Sequence, residues 1–264
     1  MRHLAILVTL AAATGSAARA ARADAPCPVN ALDCVAIGQF SATADATSDA
    51  LFLTSLAVPV GLELGRGLDD DSLRRGGAYL GAVGATAALA GLVKYTVRRD
   101  RPYTQSRDPA VVAYTRTAAG TDHSFFSGHT SIAYAALTSG ALLYNPTSQG
   151  DGARLAVWAG AGALAGSTGM LRIRAGRHYP TDVLVGAGVG IGLGLGVTYA
   201  LAPAATLRGS DLLALGAGTA VGALAMALIP LPRDVVLPLG LRDLALTPTL
   251  DGHGGGLALA GRLR

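Results

Sequence analysis

Residues 169–185 read GMLRIRAGRHYPTDVLV. The stretch holds Arg172, then His178 six residues later, then Asp182 four residues after that. If the chain is helical from Tyr179 onward, positions four apart share one face. The carboxylate of Asp182 then reaches one ring nitrogen of His178. That contact fixes the tautomer and makes the other nitrogen a better nucleophile or base. Arg172 supplies a guanidinium that can hold an anion in front of that nitrogen. Taken alone, an Arg-His-Asp set of this kind also fits a structural ion-pair cluster.

Two stretches upstream turn the reading toward chemistry. Residues 94–102 read KYTVRRDRP, with Lys94 and Arg101 separated by six residues. Residues 124–131 read SFFSGHTS, in which Ser127, Gly128 and His129 are consecutive. In chain order the three segments have the form K-x6-RP, SGH and R-x5-H-x3-D. This resembles the type-2 phosphatidic acid phosphatase superfamily, which also includes bacterial non-specific acid phosphatases and vanadium haloperoxidases. The resemblance spans Lys94 to Asp182. The family's usual Pro before Ser127 is Phe126 here, and its usual Ser before Arg172 is Leu171. The missing hydroxyl at 171 removes one hydrogen bond from the phosphate or from a group that orients it.

The resemblance implies a role for each motif residue. Lys94, Arg101 and Arg172 neutralise a phosphate, and Ser127 with the Gly128 N–H holds one of its oxygens near a helix N-terminus. His178 attacks phosphorus to form a phosphohistidine, and Asp182 orients it. His129 protonates the departing alcohol and later activates water. No metal or other cofactor is implied, and the sequence shows no Cys/His/Asp/Glu cluster with ligand spacing. Arg98, Arg99, Arg174 and Arg177 are not motif positions and read as surface or lipid-headgroup contacts.

Composition points to a membrane. Of 264 residues, 51% are hydrophobic and 14% charged, and the mean hydropathy is +0.43. A soluble domain carries about 25% charged residues. The 36 glycines suit close packing of membrane helices. Net charge is +4 with a pI near 9.3. The arginines gather in the motifs, so a phosphate cavity explains the excess better than nucleic acid does.

In chain order, residues 1–25 read as a secretory signal: Arg2 and His3, a short apolar run, then A-x-A sites. Its apolar core is too short to span ~30 Å of hydrocarbon. Residues 26–48 form an exported segment whose two cysteines, Cys27 and Cys34, are expected to pair in an oxidising compartment. Residues 49–232 form the helical membrane domain, with candidate spans at 49–65, 76–97, 129–144, 153–171, 182–201 and 211–230. Residues 98–127 read as a polar loop over the site, and Thr181 as an N-cap, with Pro180 in the first helical turn as the alternative. Glycines at 186, 190 and 194 share one helix face and those at 188, 192 and 196 another, as close packing requires. Residues 233–264 form a tail that alternates as a β-hairpin around DGHGGG.

The expected fold is therefore all-α: a bundle with five or six transmembrane helices and a short C-terminal β-hairpin. Alternating spans put all three motifs on one face, the periplasmic side of a bacterial inner membrane. The expected activity is metal-independent hydrolysis of a phosphorylated lipid. Candidate substrates are phosphatidic acid, phosphatidylglycerol phosphate, a polyprenyl pyrophosphate and a lipid A phosphate. The rival readings are a broad-specificity acid phosphatase, a vanadate-dependent haloperoxidase and a non-catalytic membrane scaffold.

Overall fold

A computed structural model of the chain describes residues 29–116, 123–144, 150–203, 205–231, 241–251 and 254–263. The expected signal segment, Cys27 and His253 lie outside these residues. Among the described residues seven α-helices follow one another: α1 (Ala42–Gly65), α2 (Ser72–Val97), α3 (Pro109–Arg116), α4 (Gly128–Tyr144), α5 (Gly150–Arg174), α6 (Pro180–Leu201) and α7 (Gly209–Leu228). The backbone over β1 (Leu241–Asp251) and β2 (Gly254–Leu263) pairs antiparallel, from Leu241 opposite Leu263 to Asp251 opposite Gly254.

Several boundaries differ from the sequence reading, and three of the differences have a local reason. Helix α1 starts at Ala42 and not at 49, because the Ser41 side chain accepts the Ala44 N–H at 3.1 Å and caps the first turn. The stretch 98–127 is not all loop. Asp108 accepts the Ala110 N–H at 2.9 Å and Pro109 opens α3, an Asp-Pro start that preorganises a first turn. Helix α6 is capped at Tyr179 and not at Thr181. Pro180 takes the first helical position, and the Asp182 carboxylate accepts the Tyr179 N–H at 2.9 Å.

Helix α4 is the axle of the bundle, and nearly all of its residues are buried. On one side Ile132 and Ala136 meet Phe52 of α1 and Tyr79 and Val83 of α2. On the other, Tyr134 and Leu137 meet Trp158 of α5 and Leu215 of α7. Close approach is bought with glycine. A Cβ at Gly186 would stand 2.9 Å from the Ser127 carbonyl oxygen, one at Gly190 would collide with the Ser131 carbonyl oxygen, and one at Gly194 with the Thr138 hydroxyl. Gly188, Gly192 and Gly196 have open space instead. One glycine face of α6 therefore seats the helix on α4, and the other points out of the bundle. Helices α5 and α7 repeat the device, with Gly162 and Gly166 against the backbone of Leu215 and Thr219, and Gly218 and Gly222 against Ala159 and Ala163.

Helices α1, α2, α6 and α7 are each long and apolar enough to cross a membrane. At ~1.5 Å per residue, their 20 to 26 residues cover ~30–39 Å. Their outward faces carry exposed Leu80, Leu92, Leu184, Leu213, Val221 and Leu224. Water penalises such a surface and hydrocarbon does not.

Candidate active site

The C-terminal ends of α2 and α5 and the N-terminal ends of α1, α4 and α6 meet at one end of the bundle. Lys94 lies in the last turn of α2, and its Nζ stands 3.5 Å from where a Cβ on Gly128 would sit. The αL conformation of Arg98 (φ 50°) then ends α2, and the chain turns toward Arg101. Ser127 is fully buried; its N–H donates to the Asp182 carbonyl at 3.0 Å, and its Oγ accepts the Thr130 hydroxyl at 2.9 Å. Gly128 and His129 follow as the first residues of α4, which leaves the Gly128 N–H at a helix N-terminus.

The turn after α5 brings His178 back beside Arg172. Gly176 adopts a left-handed φ of 69° and closes the helix, and its carbonyl accepts the Tyr103 N–H at 3.0 Å. The N–H groups of Arg177 and His178 then both donate to the Arg172 carbonyl, at 3.1 and 3.3 Å. The five residues between Arg172 and His178 are the length of this turn. His178 is buried and lies within electrostatic range of Lys94, Arg101, Arg172 and His129. The structure therefore gathers both histidines and the three motif cations around one point.

The His178–Asp182 contact is looser than a helical pair would make it. Nδ1 of His178 is 3.7 Å from Oδ2 of Asp182, beyond hydrogen-bond length. His178 precedes α6, and Asp182 has other partners. Besides the Tyr179 N–H, it accepts Arg99 Nη1 at 2.8 Å. Arg99 also donates to Asp33 at 2.7 Å and lies over the Tyr179 ring at 3.9 Å. Asp33 belongs to a short 3-10 helix, Asp33–Ala36, and also accepts the Thr181 N–H at 2.9 Å and the Thr181 hydroxyl at 2.7 Å. Burial works against the Asp33 charge, but Arg99 and Thr181 outweigh it and hold the carboxyl below its usual range. The neighbouring Cys34 is disulfide-bonded.

Arg172 reaches across to α1. Its Nη1 donates to Asp45 at 2.8 Å, Ser48 at 3.1 Å and Asp49 at 3.2 Å. Arg177, expected at the surface, is buried and donates to Asp45 through Nη2 at 2.6 Å. Arg174 donates to the Met226 and Ile229 carbonyls and ties α5 to the end of α7. Arg98 is exposed, 5.2 Å from the Tyr95 ring centroid. Arg99 and Arg177 thus support the site from inside, which their lack of a motif position concealed. Asp45 and Asp49 went unread as site residues too. Their signal is three polar groups, Asp45, Ser48 and Asp49, on one face of an otherwise apolar helix. Leu171 is wholly buried against Ala44 and Ala175, so it packs α5 on α1 where the family's usual residue is Ser.

Among the described residues, Nε of Arg101, Nε of Arg172 and Nδ1 of His178 are buried at this end without a hydrogen-bond partner. Buried unpaired polar atoms are costly, and an anion seated among them would satisfy the guanidinium donors. Burial, with Lys94, Arg101 and Arg172 nearby, holds the His178 imidazole well below its ordinary value. Its neutral form is the nucleophilic one. Burial and the neighbouring Arg177 likewise push Arg101 down to about 10. It remains cationic at neutral pH. Among the described residues no group of three or more His, Cys, Asp or Glu is arranged to hold a metal ion.

Residues 75–205 match the model of the PAP2 superfamily. No curated protein and no solved structure matches the chain significantly.

Proposed function

We propose that this chain, which belongs to the PAP2 superfamily, is a metal-independent phosphatase of the cell envelope that acts on a phosphorylated lipid through a phosphohistidine. The observation that carries the reading is the convergence of His178 and His129 with Lys94, Arg101 and Arg172 around unpaired donors on Arg101 and Arg172.

The phosphate dianion sits among the three cations, with one oxygen on Ser127 and the Gly128 N–H at the start of α4. Asp182 lies on the Nδ1 side of His178. That leaves Nε2 as the attacking atom. Nε2 forms the N–P bond as the bond from phosphorus to the ester oxygen breaks, and His129 protonates that oxygen. His129 then takes a proton from water, the hydroxide attacks phosphorus, and the N–P bond breaks to return neutral His178 and release phosphate. Asp182, held by Arg99 and the Tyr179 N–H, stabilises the positive charge on His178 between these steps.

Lipid is the favoured substrate class because α1, α2 and α6 carry the site at their ends and present apolar faces outward. An acyl chain transferred from water to that surface gains about 0.8 kcal/mol per CH₂. The periplasmic orientation rests on the signal-like N-terminus and on six helices crossing in alternation, with α4 enclosed by the others. Cysteine labelling of positions 103–116 only from the cytoplasm would overturn that orientation.

The deciding experiment is phosphate release by purified protein in detergent, from a panel of lipid phosphates, lipid pyrophosphates and a chromogenic ester, with EDTA present. Turnover that survives EDTA and is lost in His178→Ala is expected. A strict Mg²⁺ requirement, or a folded His178→Ala protein of normal activity, would overturn the mechanism. A far higher kcat/KM for soluble esters than for every lipid would overturn the substrate class alone.

A further inference from the structure

The geometry points to Asp49 as a positioning residue that holds the proton donor His129 and the phosphate clamp Arg172 in one arrangement. The inference rests on the phosphatase reading and adds a residue outside its three motifs. Asp49 lies two turns into α1 and is buried. Its Oδ1 is 2.9 Å from Nε2 of His129 and 3.2 Å from Nη1 of Arg172. One carboxylate oxygen thus joins the first turn of α4 to the last turn of α5. The Phe52 ring, 4.5 Å from the His129 ring between centroids, restricts the imidazole from its other side.

This contact assigns the two nitrogens of His129. With Nε2–H donating to Asp49, Nδ1 is left to face the ester oxygen. A carboxylate on Nε2 also favours the imidazolium form that the proton donor needs. The groups facing His129 otherwise are mostly cations: Lys94 from α2, Arg172 from α5, and Arg101 from the connecting loop, with Asp45 of α1 opposing them. Asp49 is the carboxylate in hydrogen-bond contact with the ring.

A purely structural carboxylate and a positioning one differ in their dependence on the leaving group. An alkyl phosphate needs its departing oxygen protonated, whereas p-nitrophenyl phosphate leaves as a stable anion. Asp49→Asn keeps the shape and removes the charge. Loss of assisted proton transfer costs roughly 10²–10⁴-fold where it is needed. The expected result is a kcat loss at least about tenfold larger on the alkyl ester than on the p-nitrophenyl ester. The basic limb of the alkyl-ester pH profile should also move to lower pH. In a His129→Ala background, adding Asp49→Asn should no longer discriminate between the esters, leaving only the loss through Arg172 that both share. If Asp49→Asn does not fold, Asp49→Glu displaces the carboxylate by one methylene and should show the same selectivity in smaller measure. Equal losses on both esters, or an alkyl-ester selectivity that persists in the His129→Ala background, would overturn the assignment of Asp49. A wild-type protein that cleaves neither ester would instead overturn the phosphatase reading beneath it.

Discussion

His178 combines burial with three neighbouring cations, so its charged form is opposed by the fold. Its folded pKa lies below its unfolded value of about 6.5. The unfolded chain therefore binds the extra proton first, and stability is lost as pH falls below about 6.5 toward the folded value. Thermal unfolding in detergent should show Tm declining over that interval, with a shallower decline in His178→Gln. An unchanged slope would contradict the burial argument. Gly176 makes a second residue-scale case. It holds a left-handed φ of 69°, and a Cβ there would collide with the Gln39 carbonyl oxygen. Gly176→Ala should cost about 1–3 kcal/mol. Activity should fall as well, because this turn delivers His178 to Arg172. A fully stable, fully active Gly176→Ala protein would show that the turn tolerates another backbone path.

Helices meet here at separations that only small residues permit, and α6 offers an internal control. A Cβ on Gly190 would collide with the Ser131 carbonyl oxygen and stand 2.8 Å from Tyr134 Cβ, whereas one on Gly192 would meet nothing within 4 Å. Gly190→Ala should destabilise by about 1–3 kcal/mol through overpacking. Gly192→Ala should be neutral or slightly stabilising, since alanine favours a helix by up to ~1 kcal/mol over glycine. Comparing the two Tm values tests which face α6 buries, and equal effects would mean that the α4–α6 seam is misplaced. The same contrast separates legible from illegible sequence. The i, i+4 glycine spacing announced two small-residue faces, but the spacing is identical on both. Only the position of α4 decides which face is filled.

Among the described residues, four helices apolar enough to cross a membrane, with leucines and valines on the outer surface, fit a membrane protein. The expressed protein should stay in the membrane pellet after alkaline carbonate washing and need detergent for release. Recovery in the wash would refute that placement. Charge on the outward face supplies a finer test. Leu213 is 76% exposed on α7. Leu213→Arg should impair insertion, by less than the roughly 2.5–3.5 kcal/mol that Arg costs at a helix centre, because Leu213 lies in the second turn of α7. Leu215, two residues on, is buried in the core. Leu215→Ala should lower Tm while leaving insertion intact, at about 2–5 kcal/mol.

The amino-acid sequence was enough to read the helical class, the apolar helices and the motif residues that meet at one end of the bundle. Those features are local: hydropathy over twenty residues, and residue types whose order does not depend on the fold. It also determined the family, through three short segments between Lys94 and Asp182. What it left undecided depends on contacts between distant elements. Asp45 and Asp49 belong to no motif, and only the packing of α1 against Arg172, 127 residues away from Asp45, gives them a place in the site. Arg99 and Arg177 looked like surface charges until Asp33, Asp182 and Asp45 were brought against them. The helical spacing promised a His178–Asp182 hydrogen bond, but the first turn of α6 and Arg99 take up the Asp182 oxygens. A buried charge is stabilised only by the partner that the tertiary fold puts within about 3 Å of it, and that partner has no fixed distance along the chain.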